Sequence, residues 1–387
     1  MKNLKVFFYI DALDSSILTS THMPFLYNIA AKHSRWDLHN VLGYSFAIQA
    51  CMLSGKYPEE NNHWMPYFYS PESSPTLFKL LNKIGILFPI DKQPSLRFII
   101  EGQCRKLLLN KGVHINNVPL GIVNKISLYP YYYMCELPFF DELSITFDRN
   151  DSKLTYIGPP FIRKHFYSIL LEHVKASQRD NETVFVYDDA LDGLGHKFGP
   201  TSQEYLLYAR SLDRVLNSVY RQLRATYGDR LTFLVFSDHG QSQLKGSFDI
   251  ISQIEAYDLH FAKDYICFVD ATMAMFWVTD KAVREKITSA LSSLKFGTLL
   301  SNSQRKKYNL QFRNEKMYGD LIYVMNPGWS LFPNFFSPFH PMKGLHGYLP
   351  EEPVQNAFLI SDTAIDHDIF HIKDIKDVLI GLSRDFH

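Results

Sequence analysis

Cysteine is nearly missing from this chain: four residues in 387 (Cys51, Cys104, Cys135 and Cys267), none of them in a CxxC spacing. That scarcity excludes a thiolate zinc site and a disulfide-stapled scaffold, and the four are expected to be reduced thiols. Net charge is missing too, with 40 Lys and Arg against 40 Asp and Glu. No global field therefore draws the chain to nucleic acid or to an anionic membrane. No apolar run approaches transmembrane length, and there is no repeat or low-complexity tract. The stretch from Met1 to Asp11 holds too few apolar residues for a signal-peptide core and runs straight into a carboxylate, so it reads as a first core strand. The expectation is a soluble, cytoplasmic protein.

What the chain does have is an alternation of apolar strands and helical periodicities. Strands are expected at 4–10, 183–187, 232–236, 264–270, 273–278, 319–324 and 357–360. Helices are expected at 23–32, 46–54, 75–83, 161–175, 281–294 and 375–382, with a long one opened by a capping box from Thr201 to Glu204. This pattern predicts an α/β fold, a mainly parallel sheet sandwiched by helices, in one domain over 1–387. Residues 86–160 break the alternation and read as an inserted cap or lid. Within it, Tyr129–Phe140 is aromatic and loop-like.

Chemistry-bearing residues fall where the strands end. Asp11 follows the first strand, Asp192 and His196 sit in a loop after 183–187, and Asp238 and His239 follow 232–236; His346 comes late, in Gly344-Leu-His-Gly-Tyr348. Ser45 follows Gly43 and Tyr44 and starts a helical run (Phe46, Ala47, Ala50, Cys51, Leu53) that stops at Gly55 and Pro58. A serine there meets the free N–H groups and positive dipole end that favour an anion, although the same residue type is a common structural cap. In open α/β sheets, ligands collect beyond the carboxyl ends of the strands, where Asp11, Ser45, Asp192 and Asp238 are expected to lie.

Together and in this order, the motifs resemble the alkaline phosphatase superfamily, in its type I phosphodiesterase/nucleotide pyrophosphatase branch, over nearly the whole chain. The resemblance implies two divalent metal ions, zinc first and manganese second. Asp192, His196 and His346 would hold one ion; Asp11, Asp238, His239 and the Ser45 hydroxyl would hold the other. It also implies hydrolysis of phosphodiester or phosphoanhydride bonds through a phosphoseryl intermediate on the nucleophile Ser45, with a small-molecule phosphate ester as substrate: nucleotide, glycosyl or lipid linked.

The chain departs from the branch in two places. Ser45 stands where threonine is usual, and Ile48 stands where an asparagine would contact the phosphoryl oxygen; Tyr44, Gln49 and Asn62 are candidate replacement donors. The sulfatase signature is absent after Ser45. A phosphomonoesterase or a phospho-alcohol transferase on the same site remains an alternative, and so does a metal-free binding protein on the same scaffold. The aromatic segments Tyr129–Phe140 and Trp329–Phe339 are candidate walls for a nucleobase or another substrate tail. His22, His33, His63, His114 and His340 read as surface or structural residues, and Arg305, Lys306 and Lys307 as a solvated turn.

Overall fold

The computed structural model describes residues 2–87, 118–129, 134–150, 152–159, 166–335, 340–365 and 368–384. Its centre is a six-stranded sheet in the order Ser34–Leu38, Ala357–Ser361, Leu231–Ser237, Asn3–Ile10, Asn181–Asp188, Lys153–Ile157. Asn3–Ile10 pairs in parallel with both Asn181–Asp188 and Leu231–Ser237, and Lys153–Ile157 continues the parallel run. Ala357–Ser361 alone is antiparallel to its neighbours. The mainly parallel sheet expected from the alternation is therefore present.

The period of two divides the core. On the central strand Leu4, Val6, Phe8 and Ile10 face one layer, formed with the helices Pro24–Lys32, Phe166–Ala176 and Gln203–Tyr227. Phe7 and Tyr9 face the other, with Phe185, Tyr187, Leu234 and Phe236 from the adjoining strands and the helix Ser45–Ser54 above them. A sheet buried on both faces needs such near-continuous apolar strands. The helix Gln203–Tyr227 turns Tyr205, Ala209, Leu212, Leu216, Val219 and Leu223 inward, a stripe at three- and four-residue steps. Each large apolar member contributes roughly 1.5–3 kcal/mol by leaving water. Lys5 is a buried cation in this sheet; its ammonium donates to Leu382 O at the end of the last helix, Ile375–Arg384, where free carbonyls favour positive charge.

A second, antiparallel sheet stands beside the first, in the order Ile266–Val269, Met273–Trp277, Leu321–Met325, Gly297–Leu299. Its last strand was not expected from the sequence. Two short ribbons matter more for the site: Ser242–Gln243 pairs with Gly344–Leu345, and Gly246–Phe248 with Trp329–Leu331.

Several expectations are corrected. The segment carrying Asp192 and His196 is a helix, Ala190–Phe198, and not a loop. The long helix is capped by Ser202, whose hydroxyl accepts from Tyr205 N–H, one residue later than the expected box. Residues 88–117 of the expected cap lie outside the described residues, and so do 130–133, 160–165 and 336–339. The end of the 86–160 stretch does not stand apart: Pro138–Arg149 is a helix, and Lys153–Ile157 is the edge strand of the central sheet. Arg305, Lys306 and Lys307 form the last turn of the short helix Asn302–Lys307. Cys51, Cys135 and Cys267 are free thiols; Cys104 lies outside the described residues. Among the described residues no helix is long and apolar enough to cross a membrane.

Candidate active site

Asp11 leaves the central strand with its N–H bonded to Asp188 O. The next residue, Ala12, has φ +55°, a costly conformation for a side chain with a Cβ. It is held from both sides: Ala12 N–H donates to Asp238 Oδ1 at 3.2 Å, and Ala12 O accepts from Tyr205 O–H at 2.8 Å. Strain fixed in this way aims the carboxylate of Asp11 inward. Asp238 and His239 leave the neighbouring strand, and Asn40 Nδ2 ties down Asp238 O at 2.5 Å and Gln355 O at 2.8 Å.

Ser45 is the first residue of its helix. Ala47 N–H and Ile48 N–H already donate to Tyr44 O, which leaves the Ser45 and Phe46 N–H groups as first-turn donors for an anion. Gly43 makes the tight entry feasible, because a Cβ there would come within 2.6 Å of the Ala47 Cβ. Ser45 Oγ lies 3.0 Å from His239 Nε2. The same nitrogen stands 3.1 Å from Asp238 Oδ2 and 3.6 Å from Asp11 Oδ1.

Asp192 and His196 stand one turn apart on their helix, so both face the same side. His196 Nε2 is 3.1 Å from Asp192 Oδ1, and His346 Nε2, carried in by the Gly344–Leu345 ribbon, is 3.5 Å from that oxygen. The rings of His239 and His346 stack with centroids 3.8 Å apart, joining the two halves. All seven residues expected at the site thus converge. Two triads each bring their ligand atoms within 4.8 Å of one another: Asp11, Asp238 and His239, and Asp192, His239 and His346. His239 therefore lies between the halves, and His196 joins the second through Asp192.

The imidazoles are oriented from behind. His196 Nδ1 lies 2.9 Å from Gly344 O and His239 Nδ1 lies 3.0 Å from Gly240 O, which favours the proton on Nδ1 and turns the Nε2 lone pair into the site. Three carboxylates and three imidazoles share this space with strong mutual effects. Burial, then the charges of Asp238 and Asp192, push the Asp11 carboxyl well above its usual range. Burial pulls His239 down, but Asp238, Asp11 and Asp192 overcome it and raise the imidazole to about 9. Burial pushes Asp192 up, yet the facing His196, His346 and His239 hold it well below the carboxylate range. Burial and the charge of His239 hold His346 well below the ordinary imidazole range. Asp11 Oδ1 and Asp238 Oδ2 are buried and accept no hydrogen bond, and His346 Nδ1 makes none. Buried polar atoms are normally satisfied, so two carboxylate oxygens left facing one Nε2 fit a cation-binding pocket.

The three candidate phosphoryl donors have different surroundings. The Tyr44 hydroxyl oxygen accepts from Thr272 N–H at 2.9 Å and Thr272 O–H at 3.0 Å. Gln49 is buried and points at two tyrosines, 3.1 Å from the Tyr9 hydroxyl and 3.2 Å from the Tyr187 hydroxyl. Asn62 is exposed, and its carbonyl accepts from Tyr129 O–H. Ile48 is fully buried. His340 is exposed, as expected for a surface residue. Of the two aromatic segments, Tyr129 packs on the residue that follows Ser45: its ring is 5.7 Å from Phe46 and stacks at 4.5 Å on His63, which also lies 5.9 Å from Phe46. Trp329 packs instead on Phe296 and Gly246.

Sequence reasoning missed Tyr187, whose hydroxyl donates to Asp11 Oδ2 at 2.6 Å, and Gln241, whose amide donates to Asp192 Oδ1 at 2.8 Å. No sequence signal marked Gln241; its tie to the site shows only in the packing around Gly195. A Cβ at that glycine would fall 1.7 Å from Gln241 Oε1, so the glycine exists to admit the amide.

The fold is that of the alkaline phosphatase superfamily, and its site sets a serine at a helix start against a cluster of carboxylates and imidazoles. The chain belongs to the type I phosphodiesterase/nucleotide pyrophosphatase family, whose profile matches residues 6–349. Among solved structures it is similar to murine ectonucleotide pyrophosphatase/phosphodiesterase 5 in an inactive form in complex with AMP, at 13% identity and a TM-score of 0.66, over 99% of this chain and 95% of that one. The human enzyme of the same name aligns over the same shares at 15% identity and a TM-score of 0.62. Family membership makes phosphodiester or pyrophosphate hydrolysis the activity class of the chain.

Proposed function

We propose that this chain is a two-metal phosphodiesterase in which Ser45 is the nucleophile and a nucleotide-type phosphodiester or phosphoanhydride is the substrate. One observation carries the reading: Ser45 Oγ, at a helix start, is 3.0 Å from the His239 nitrogen that also meets Asp238 and Asp11. Asp11, Asp238, His239 and Ser45 would hold one divalent ion, and Asp192, His196 and His346 the other. The three imidazoles favour zinc over harder cations. Bound ions of this kind acidify hydroxyl and water and neutralise phosphoryl charge.

The remaining steps belong to the chain's own residues. The helix start fixes Ser45 Oγ for attack on phosphorus, which expels the leaving alcohol or phosphate and forms a phosphoseryl ester. The Ser45 and Phe46 N–H groups meet the charge that accumulates on the non-bridging oxygens; they supply donors in the region where Ile48 has none. Water then cleaves the ester and restores Ser45. Phe46, next to Ser45 in the chain, and Tyr129 packed on it are aromatic groups suited to a nucleobase. The AMP bound by the murine structural relative supports that choice of substrate class.

The test is hydrolysis of a nitrophenyl nucleoside phosphodiester and of the matching monoester by zinc-loaded protein, chelated protein and Ser45→Ala. The expected result is diester cleavage that falls to background on chelation and drops about 10³-fold or more in Ser45→Ala. Diester activity that survives Ser45→Ala would overturn the nucleophile. Preference for the monoester would move the reading to a phosphatase, and transfer to an added alcohol in excess of hydrolysis would move it to a transferase.

A further inference from the structure

Gln49 lies four residues after Ser45 on the same helix and is 6% exposed. Its amide nitrogen lies within hydrogen-bond reach of the hydroxyl oxygens of Tyr9 and Tyr187. These tyrosines sit opposite one another in the register of the central sheet, stacked 4.7 Å apart with their planes 9° from parallel. A primary amide has two N–H donors, and here one serves each phenol. A phenol oxygen that accepts from Gln49 keeps its own proton to give away. Tyr187 gives it to Asp11 Oδ2 at 2.6 Å. Burial, then the charges of Asp11 and Asp238, push the Tyr9 hydroxyl well above its usual range, so it stays protonated.

We propose that Gln49, Tyr9 and Tyr187 form a positioning clamp that locks the nucleophile helix to the carboxylate of Asp11 and selects which Asp11 oxygen faces the ion. The direction of the hydrogen bonds does the selecting. Because Gln49 only donates through its nitrogen, the Tyr187 hydroxyl proton is left to Asp11. Asp11 Oδ2 is occupied by Tyr187, so Oδ1 is the oxygen left bare, 3.6 Å from His239 Nε2. The clamp also spans the two parts that have to agree. Ser45 rides on the helix and Asp11 on the strand, and Gln49 fixes the distance between them one helical turn below the nucleophile. Buried hydrogen bonds of this kind hold their members in one arrangement and leave Asp11 Oδ1 as the free ligand atom.

This inference rests on the two-metal reading above, and its test separates the two. Zinc affinity is measured by calorimetry on wild type, Tyr187→Phe, Gln49→Leu, Gln49→Glu and the double variant Gln49→Leu/Tyr187→Phe, alongside kcat and KM for the nitrophenyl diester. Tyr187→Phe keeps the ring stack and removes one proton donor. Gln49→Glu keeps a polar group in place but accepts from both phenols, so it reverses the bond directions and takes the Tyr187 proton away from Asp11. The expected outcome is a roughly 10–100-fold loss of zinc affinity in Tyr187→Phe and Gln49→Glu, the range found when a ligand's hydrogen-bond partner is removed. It should come with a fall in kcat at near-constant KM, and the double variant should lose less than the two single losses combined. Wild-type zinc affinity and kcat in folded Tyr187→Phe and Gln49→Glu would overturn the clamp while leaving the two-metal reading intact. A wild-type chain that binds no divalent ion would overturn both. If Gln49→Leu fails to fold, Tyr187→Phe and Gln49→Glu still decide the matter.

Discussion

The two halves of the site are built by different means. Asp11, Asp238 and His239 come off the ends of adjacent central strands and are almost wholly buried, with side-chain exposures of 4%, 0% and 0%. Asp192, His196 and His346 come from one short helix and one two-residue ribbon, and the first two keep 23% and 12% exposure. The strand-end half inherits its geometry from the sheet register, in which Ile10 pairs with Asp188 and Tyr9 with Phe236. The other half is assembled from pieces about 150 residues apart, and each needs its own device. The ribbon is held to the helix by Lys343 N–H donating to His196 O and by Gly344 O against His196 Nδ1, both at 2.9 Å. Rigidity is inherited in the first case and locally constructed in the second.

The largest expected effects test whether that difference matters. Asp238→Asn removes a charge where no water can substitute, directly beside the nitrogen facing Ser45. We expect diester hydrolysis to fall by about 10³-fold or more. Asp192→Asn, on the more open half, should cost less, because solvent can reach the gap and His196 and His346 remain. Equal losses from the two substitutions would break the comparison. The next effect targets the constructed half alone. Gly195→Ala places a methyl group where Gln241 Oε1 now sits, so the amide must leave Asp192. A displacement of about 1 Å at a reacting centre can cost up to 10²-fold. We expect a 10–100-fold loss of kcat with the fold retained, read by activity alongside circular dichroism. An unchanged kcat would show that Asp192 does not depend on Gln241.

The same contrast governs what could be read from the sequence. The strand-end residues were legible because, in an α/β pattern, an apolar run that stops at a carboxylate marks the carboxyl end of a buried strand, and Asp11, Asp238 and His239 all follow such runs. Asp192 and His196 were legible as residues but not as a helix, because Gly193 and Gly195 interrupt the periodicity that marks one. The glycine at 195 is there for a side chain 46 positions downstream, which no local pattern encodes. Ser202 was displaced from its capping role by the adjacent Thr201, since either hydroxyl suits an N-cap and only the geometry chooses. Gln49 read as a free donor for the phosphoryl group. Its real partners lie on strands 40 and 138 residues away, and period two on those strands puts Tyr9 and Tyr187 under the helix. The edge strand Lys153–Ile157 was hidden for a related reason: it follows a long departure from the strand–helix alternation, so nothing nearby signalled a return to the sheet.

A smaller effect distinguishes the halves by their protons. Ion binding requires neutral imidazoles and ionised carboxylates, so each proton displaced makes affinity rise about tenfold per pH unit. In the buried half, His239 is raised to about 9 and Asp11 is raised well above its usual range, so both shifts oppose the protonation state that binds an ion. In the other half, Asp192 is held ionised and His346 is held neutral. Only His196 is raised there, as Asp192 outweighs the opposing effect of burial. The sign is the same in both, with affinity rising as pH rises, but the buried half should release more protons per ion. Zinc titration in weakly buffered solution counts those protons directly. Asp192→Asn leaves chiefly the buried half to fill and Asp11→Asn chiefly the open one, so the first variant should release more acid per zinc than the second. Equal release, or a larger release from Asp11→Asn, would mean that the charge of the cluster is shared evenly across the stacked His239–His346 pair and that the two halves titrate as one.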